Sequence, residues 1–163
     1  MEPSGSAGVT PPRFLADEML GRLARYLRMT GCDTVYVRGW SDEEIARRAE
    51  AEQRILLTRD RALADRVTPS VLLRTVAVAE QWAEVRRARA DLPAEVSFER
   101  CTLCNGPLRP APRPSGHDAS GSHEEPGDRP IFECTVCAHR YWEGSHTRRV
   151  REAVRRWALG ALG

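Results

Sequence analysis

Two short cysteine pairs, Cys101-Thr-Leu-Cys104 and Cys134-Thr-Val-Cys137, restrict the folds open to this chain more than any other feature. Two such knuckles can set four thiolates tetrahedrally around Zn²⁺, giving a closed structural site with no position left for a substrate. The competing reading, a redox dithiol, suits a single Cys-x-x-Cys better than two matched ones. Thiolates committed to metal rather than to disulfides point to a reducing compartment, so a cytoplasmic protein is expected. The 29 residues from 105 to 133 exceed the common spacing of ~15 to 20 between knuckles. The surplus falls in residues 110–130, a Pro-, Gly-, Ser- and His-containing stretch expected to bulge out as a flexible loop. His117, His123 and His139 are alternative donors, but four cysteines already fill a tetrahedral shell. Cys32 is left over and is expected to be a small buried residue after the first helix.

At 163 residues the chain has room for one ordinary domain, or for a small one with a metal-stapled module. No segment approaches the ~20 apolar residues of a membrane span, and Met1 to Pro12 lacks a signal-peptide pattern, so no membrane association is expected. Residues 1–12, rich in Gly, Ser and Pro, are expected to be a disordered tail. Net charge is only +2, yet all 25 basic residues are arginine. A GC-rich coding sequence explains that bias more simply than selection for bidentate phosphate contacts. Oligomeric state is not specified, and a homo-oligomer is left open.

From Arg13 onward the apolar pattern alternates between strand and helix lengths. Phe14-Leu-Ala reads as a strand running into Asp17-Glu18, and Leu20, Leu23, Ala24 and Leu27 then recur at helical spacing up to Gly31. Thr34 to Val37 reads as a second strand. Ser41 with Glu44 forms a capping-box pattern ahead of Ile45, Ala46 and Ala49. Ile55-Leu-Leu57 is a continuous apolar run suited to a parallel strand covered on both faces. Val71 to Leu73 predicts a fourth strand, and Val78 to Ala90 a helix. The expected fold class is α/β, a small three-layer α/β/α domain over residues 13–95 with a mainly parallel sheet. A zinc ribbon over residues 96–146 and a basic helix with its tail over 147–163 follow.

In such a sheet Asp17, Asp42 and Asp60 would lie along one edge, where open α/β sheets bind ligands. Clustered carboxylates repel one another unless cations neutralise them, and Mg²⁺ or Mn²⁺ suits oxygen donors. Such ions promote in-line attack on a phosphodiester, so hydrolysis of that bond is the expected reaction, with Glu18 or Asp65 completing the donor set. The plainer roles are that Asp42 favours the positive end of its helix and Asp60 caps a turn. Arg22, Arg25 and Arg28 recur at i, i+3, i+6. Together with Arg59 and with Arg148 and Arg149 of the basic helix, they are candidate contacts to a nucleic-acid backbone, or else a solvated surface.

The ordered run Phe14-Leu-Ala-Asp17-Glu-Met-Leu-Gly21-Arg-Leu-Ala-Arg-Tyr-Leu-Arg28-Met-Thr-Gly31, then Asp33-Thr, Asp42 and Arg54-Ile-Leu-Leu-Thr-Arg-Asp60-Arg, resembles the Mut-seven C-terminal RNase-domain family. Cys101-x-x-Cys104-Asn-Gly106 and Cys137 followed by Tyr141-Trp142-x-Gly144-Ser145-His146 extend the resemblance over roughly residues 13 to 157. It implies a PIN-like α/β/α core, a fused zinc ribbon and Mg²⁺-dependent ribonuclease activity on RNA. Asp17, Asp42 and Asp60 match the family's acidic positions and the four cysteines its ribbon, whereas the long insertion departs from the compact pattern. Two other readings stand beside it: an RNA-binding adaptor whose acidic edge is too sparse to catalyse, and a receiver-like phospho-acceptor. The second is disfavoured by the lack of any lysine to contact a phosphoryl group.

Overall fold

A computed structural model describes residues 10–113 and 126–162. Most of the expected tail and the centre of the insertion, with His117 and His123, lie outside the described residues. The first sheet contains β1 (Phe14–Ala16), β2 (Thr34–Tyr36), β3 (Ile55–Thr58) and β4 (Ser70–Leu72), in the order β2-β1-β3-β4 and all parallel. The helices are α1 (Gly21–Met29), α2 (Asp42–Ala51), α3 (Arg61–Arg66), α4 (Val78–Ala88) and α5 (Ser145–Ala158).

The pleat divides the apolar runs between two faces. Phe14, Ala16, Ile55 and Leu57 join Leu23 and Leu27 of α1, Trp82 and Val85 of α4, and Val150, Val154 and Trp157 of α5. Leu15 and Leu56 point the other way, into a second cluster with Ile45 and Ala49 of α2 and Leu63 of α3. Helices therefore cover both faces, which is why β1 and most of β3 can be apolar throughout. α5 completes the first cluster although it comes last in the chain: the Trp157 ring lies 4.9 Å from Tyr26 and 6.2 Å from Trp82.

Local signals end the elements as expected. Ser41 and Glu44 form the capping box of α2, and Gly31 follows α1 with φ +87°. Two details differ. β4 begins one residue earlier than predicted, and α3 was not foreseen. It starts at Asp60, whose side chain accepts from the Leu63 N–H, and its six residues are too few for a helical period to stand out.

Between α4 and α5 the chain builds a second, antiparallel sheet of β5 (Leu108–Ala111), β6 (Ile131–Cys134) and β7 (Arg140–Trp142), in that order. β5 occupies the first two residues of the stretch expected to form the loop. Among the described residues, no helix is long and apolar enough to cross a membrane.

Candidate functional site

Parallel strands deliver their carboxyl ends to one edge, and that edge carries the acids. Asp17, Glu18, Asp42 and Asp60 all line one cleft of about 150 Å³, with Met19, Gly39 and Trp40 among its other walls. Asp65 lies on α3, exposed and outside that wall. Each acid also holds local structure. Asp17 is buried, caps the turn at Glu18–Leu20 by accepting from the Met19 N–H at 3.2 Å, and accepts the Thr58 hydroxyl proton through its other oxygen. The same Thr58 oxygen accepts from the Asp60 N–H at 2.9 Å, so one hydroxyl at the end of β3 links two of the acids. Glu18 accepts from the Gly39 N–H at 3.3 Å. Asp42, in the first turn of α2, is half exposed, with the Arg66 guanidinium 3.8 Å away.

The cysteines form a tighter centre. The ligand atoms of Cys101, Cys104, Cys134 and Cys137 lie within 4.8 Å of one another, the only such set of three or more possible metal donors among the described residues. Cys101 and Cys137 sulfurs are 3.6 Å apart, and those of Cys104 and Cys134 are 3.4 Å apart. Backbone N–H groups of Gly106 and Val136 each approach a sulfur at 3.4 Å, the arrangement a pair of knuckles provides for thiolates. No room exists at Gly106 for a side chain: a Cβ there would stand 2.8 Å from the Cys134 sulfur. The Tyr141 hydroxyl lies 3.0 Å from the Cys101 sulfur and accepts from the Thr102 N–H, so its own proton is available to the sulfur. Burial pushes the Cys101 thiol up, but that hydroxyl and nearby N–H groups outweigh it and bring the thiol down to about 7. Cys104 is pushed up to about 12 by burial and by sulfur neighbours that share the proton. One cation satisfies all four, and the group can hold a zinc ion.

A family model described as the Mut7-C RNAse domain matches residues 12–154. The chain belongs to that family. No curated protein and no solved structure matches it. The matched span of the Mut7-C domain takes in both the acidic cleft and the four cysteines, and it extends into α5, in keeping with the place of that helix in the core.

The arginines of the Mut7-C domain fall into different environments. Arg22, Arg25, Arg148 and Arg149 are exposed, and Arg59 is half buried, with its Nε buried and unpartnered among the described residues. Arg28 departs from the open face expected with Arg22 and Arg25. It is buried, and its guanidinium donates to the carbonyls of Thr34 (2.9 Å), Thr102 (2.9 Å) and Leu103 (3.1 Å). The reason is geometric: residues six apart on an α-helix lie about 120° apart around its axis, so an i, i+3, i+6 series drifts off one face. Burial lowers the Arg28 pKa from its usual range, but a guanidinium stays charged at neutral pH.

Sequence reasoning did not single out Thr58, Trp40, Asn105 or the Tyr141 hydroxyl as parts of these sites. Thr58 had a usable signal, since it is the only polar residue of β3 and stands two positions before Asp60. Asn105 had none. It sits at φ +67°, donates to Asp33 at 2.7 Å and accepts from the Thr34 N–H at 2.9 Å, contacts that span more than 70 positions.

Proposed function

We propose that this Mut7-C domain is a metal-dependent ribonuclease with a PIN-like core and a zinc ribbon. The observation that carries the reading is that Asp17 and Glu18 after β1, Asp42 at the start of α2 and Asp60 after β3 line a single cleft at the carboxyl edge of a parallel sheet. Their oxygens are not drawn together as the four sulfurs are. A hard Mg²⁺ or Mn²⁺ ion tolerates this, because it keeps several of its waters and takes only one or two carboxylates directly. When bound, the cation neutralises the carboxylates and the phosphodiester and acidifies water.

The chain's own residues do the rest. The Thr58 hydroxyl and the Met19 N–H fix the rotamer of Asp17, and the Thr58 oxygen fixes the backbone of Asp60, so two donors are set before metal or substrate arrives. Asp42, half exposed in the first turn of α2, adds a third aspartate to the same cleft. Arg22, Arg25, Arg59, Arg148 and Arg149 are the arginines assigned to the RNA backbone. The two-faced parallel sheet supports the PIN-like assignment, and the antiparallel sheet with its knuckles supports the ribbon, with Zn²⁺ on Cys101, Cys104, Cys134 and Cys137. A four-thiolate centre suits a reducing, cytoplasmic setting.

The test is cleavage of a mixed-structure RNA by the purified chain in Mg²⁺ or Mn²⁺, beside Asp17→Asn and Asp60→Asn prepared identically. Metal-dependent cutting by the wild type that both variants lose is the expected result. Cutting shared equally by all three would assign the activity to a contaminant. Binding without cutting would move the chain to the adaptor reading.

A further inference from the structure

A cavity of about 280 Å³ opens where α1, residues 96–102, the second sheet and the start of α5 meet. It shares no wall residue with the acidic cleft. Its volume is near the lower end of ligand-binding pockets. Arg22, Arg25, Arg100 and His146 stand in its wall, and among the described residues that wall contains no carboxylate. Neither Arg22 nor Arg25 has a carboxylate partner among the described residues, and the acid nearest Arg100, Asp33 at 3.9 Å, already holds Arg54 at 2.8 Å. The remaining wall is largely apolar and includes Phe98. Phe132, which is not part of the wall, stacks on Phe98 in parallel, with ring centroids 4.8 Å apart and planes within 5°. One face of Phe98 is thus held against Phe132, leaving its other face as the one a ligand ring could stack on.

We infer that this cavity receives one nucleotide of a single-stranded RNA, its base stacked on Phe98 and its phosphates held by Arg22, Arg25 and Arg100. A flat ring carried on an anionic backbone matches both features of the wall: cations without carboxylates and an aromatic ring. Only the choice of RNA as ligand rests on the ribonuclease reading. The cavity itself lies at the seam between the sheet domain and the cysteine module, so occupying it requires both to be in place.

The experiment measures fluorescence anisotropy of a labelled oligouridine with the full-length, zinc-loaded chain over a salt series, without added Mg²⁺ or Mn²⁺ so that the strand stays intact. Phe98→Leu is expected to weaken binding roughly 5- to 100-fold, the range for loss of one stacked base. Replacing Arg22 and Arg25 together by alanine is expected to reduce the slope of log affinity against log salt by about 1.4, or ~0.7 for each phosphate that is no longer neutralised. The arginine variant alters only exposed side chains, so it tests the inference even where Phe98→Leu disturbs the stack on Phe132. Wild-type affinity and slope in both variants would overturn the inference. So would displacement of the strand by uridine monophosphate or polyglutamate at the strand's own affinity, which would identify a free nucleotide or an acidic peptide as the occupant. Cleavage by the same variants in Mg²⁺ separates the two readings: binding that depends on Phe98 in a chain that never cuts retains this cavity and drops the ribonuclease assignment. Cutting with binding indifferent to Phe98 and the arginines does the reverse.

Discussion

Asp33 is the hub that fastens the cysteine module to the sheet domain, and its replacement by asparagine should cost a defined amount of stability with a defined pH dependence. Its carboxylate accepts from Arg54 at 2.8 and 3.1 Å, from Arg13 at 3.2 Å and from Asn105 at 2.7 Å. Burial pushes the carboxyl up, but the Arg54 and Asn105 hydrogen bonds and the charges of Arg54 and Arg100 more than reverse this and hold it at about 2, below the ordinary 3.8. The side chain is only 15% exposed, so solvent screening removes little. At 1.36 kcal/mol per pKa unit, the shift is worth about 2 kcal/mol. Because the folded pKa lies below the unfolded one, that stability is fully present above about pH 4 and is lost as pH falls toward about 2. Urea unfolding of wild type and Asp33→Asn, run in parallel from about pH 7 down to about pH 3, should give a gap of about 2 kcal/mol that holds to about pH 5 and then narrows. A gap under ~0.5 kcal/mol at neutral pH, or one that widens on acidification, would refute the reasoning.

Arg28→Ala removes three hydrogen bonds to backbone carbonyls, one of them wholly buried, and should destabilise the chain by about 3 kcal/mol in the same assay. Arg28→Lys should recover only part, because a single ammonium cannot span carbonyls on two segments as the guanidinium fork does. Gly31→Ala should cost about 1 to 2 kcal/mol, since the residue sits at φ +87° and an added Cβ would meet Ser97 Oγ at 2.7 Å; thermal unfolding reads it directly. Cys134→Ser should lower bound zinc, measured by atomic absorption, and release the amides of β5 to β7 to hydrogen exchange; wild-type zinc content in that variant would remove the assignment of Cys134 as a ligand.

The sheet domain was legible because its signals are local. Apolar runs of strand length, a capping box at Ser41 and a glycine after α1 each act within a few residues. The meeting of Asp17, Asp42 and Asp60 on one cleft followed from parallel topology, since the alternation of short strands with helices fixes which ends share an edge. What stayed hidden depends on long-range packing. The periodicity of α1 does not reveal that Arg28 reaches carbonyls more than 70 positions away, and nothing near Asp33 announces a contact with Asn105. The cavity at Phe98 is likewise made by segments whose proximity exists only once α5 has returned to the core.

That return gives the cysteine centre a mechanical role in the sheet domain. α5 contributes Val150, Val154 and Trp157 to the same cluster as α1 and α4, yet residues 89–144 separate it from the end of α4. Were that stretch a flexible loop, docking α5 would carry the closure entropy of its whole length. The described residues of that stretch are organised around the four cysteines and anchored through Arg28 and Asn105, which leaves a short lead into Cys101 and a tight turn after β7 to be closed. Closure entropy grows as three-halves RT times the logarithm of loop length, so this shortening favours α5 docking by on the order of 1 kcal/mol. A metal held by the four cysteines would therefore be coupled to the packing of Trp157 between Tyr26 and Trp82.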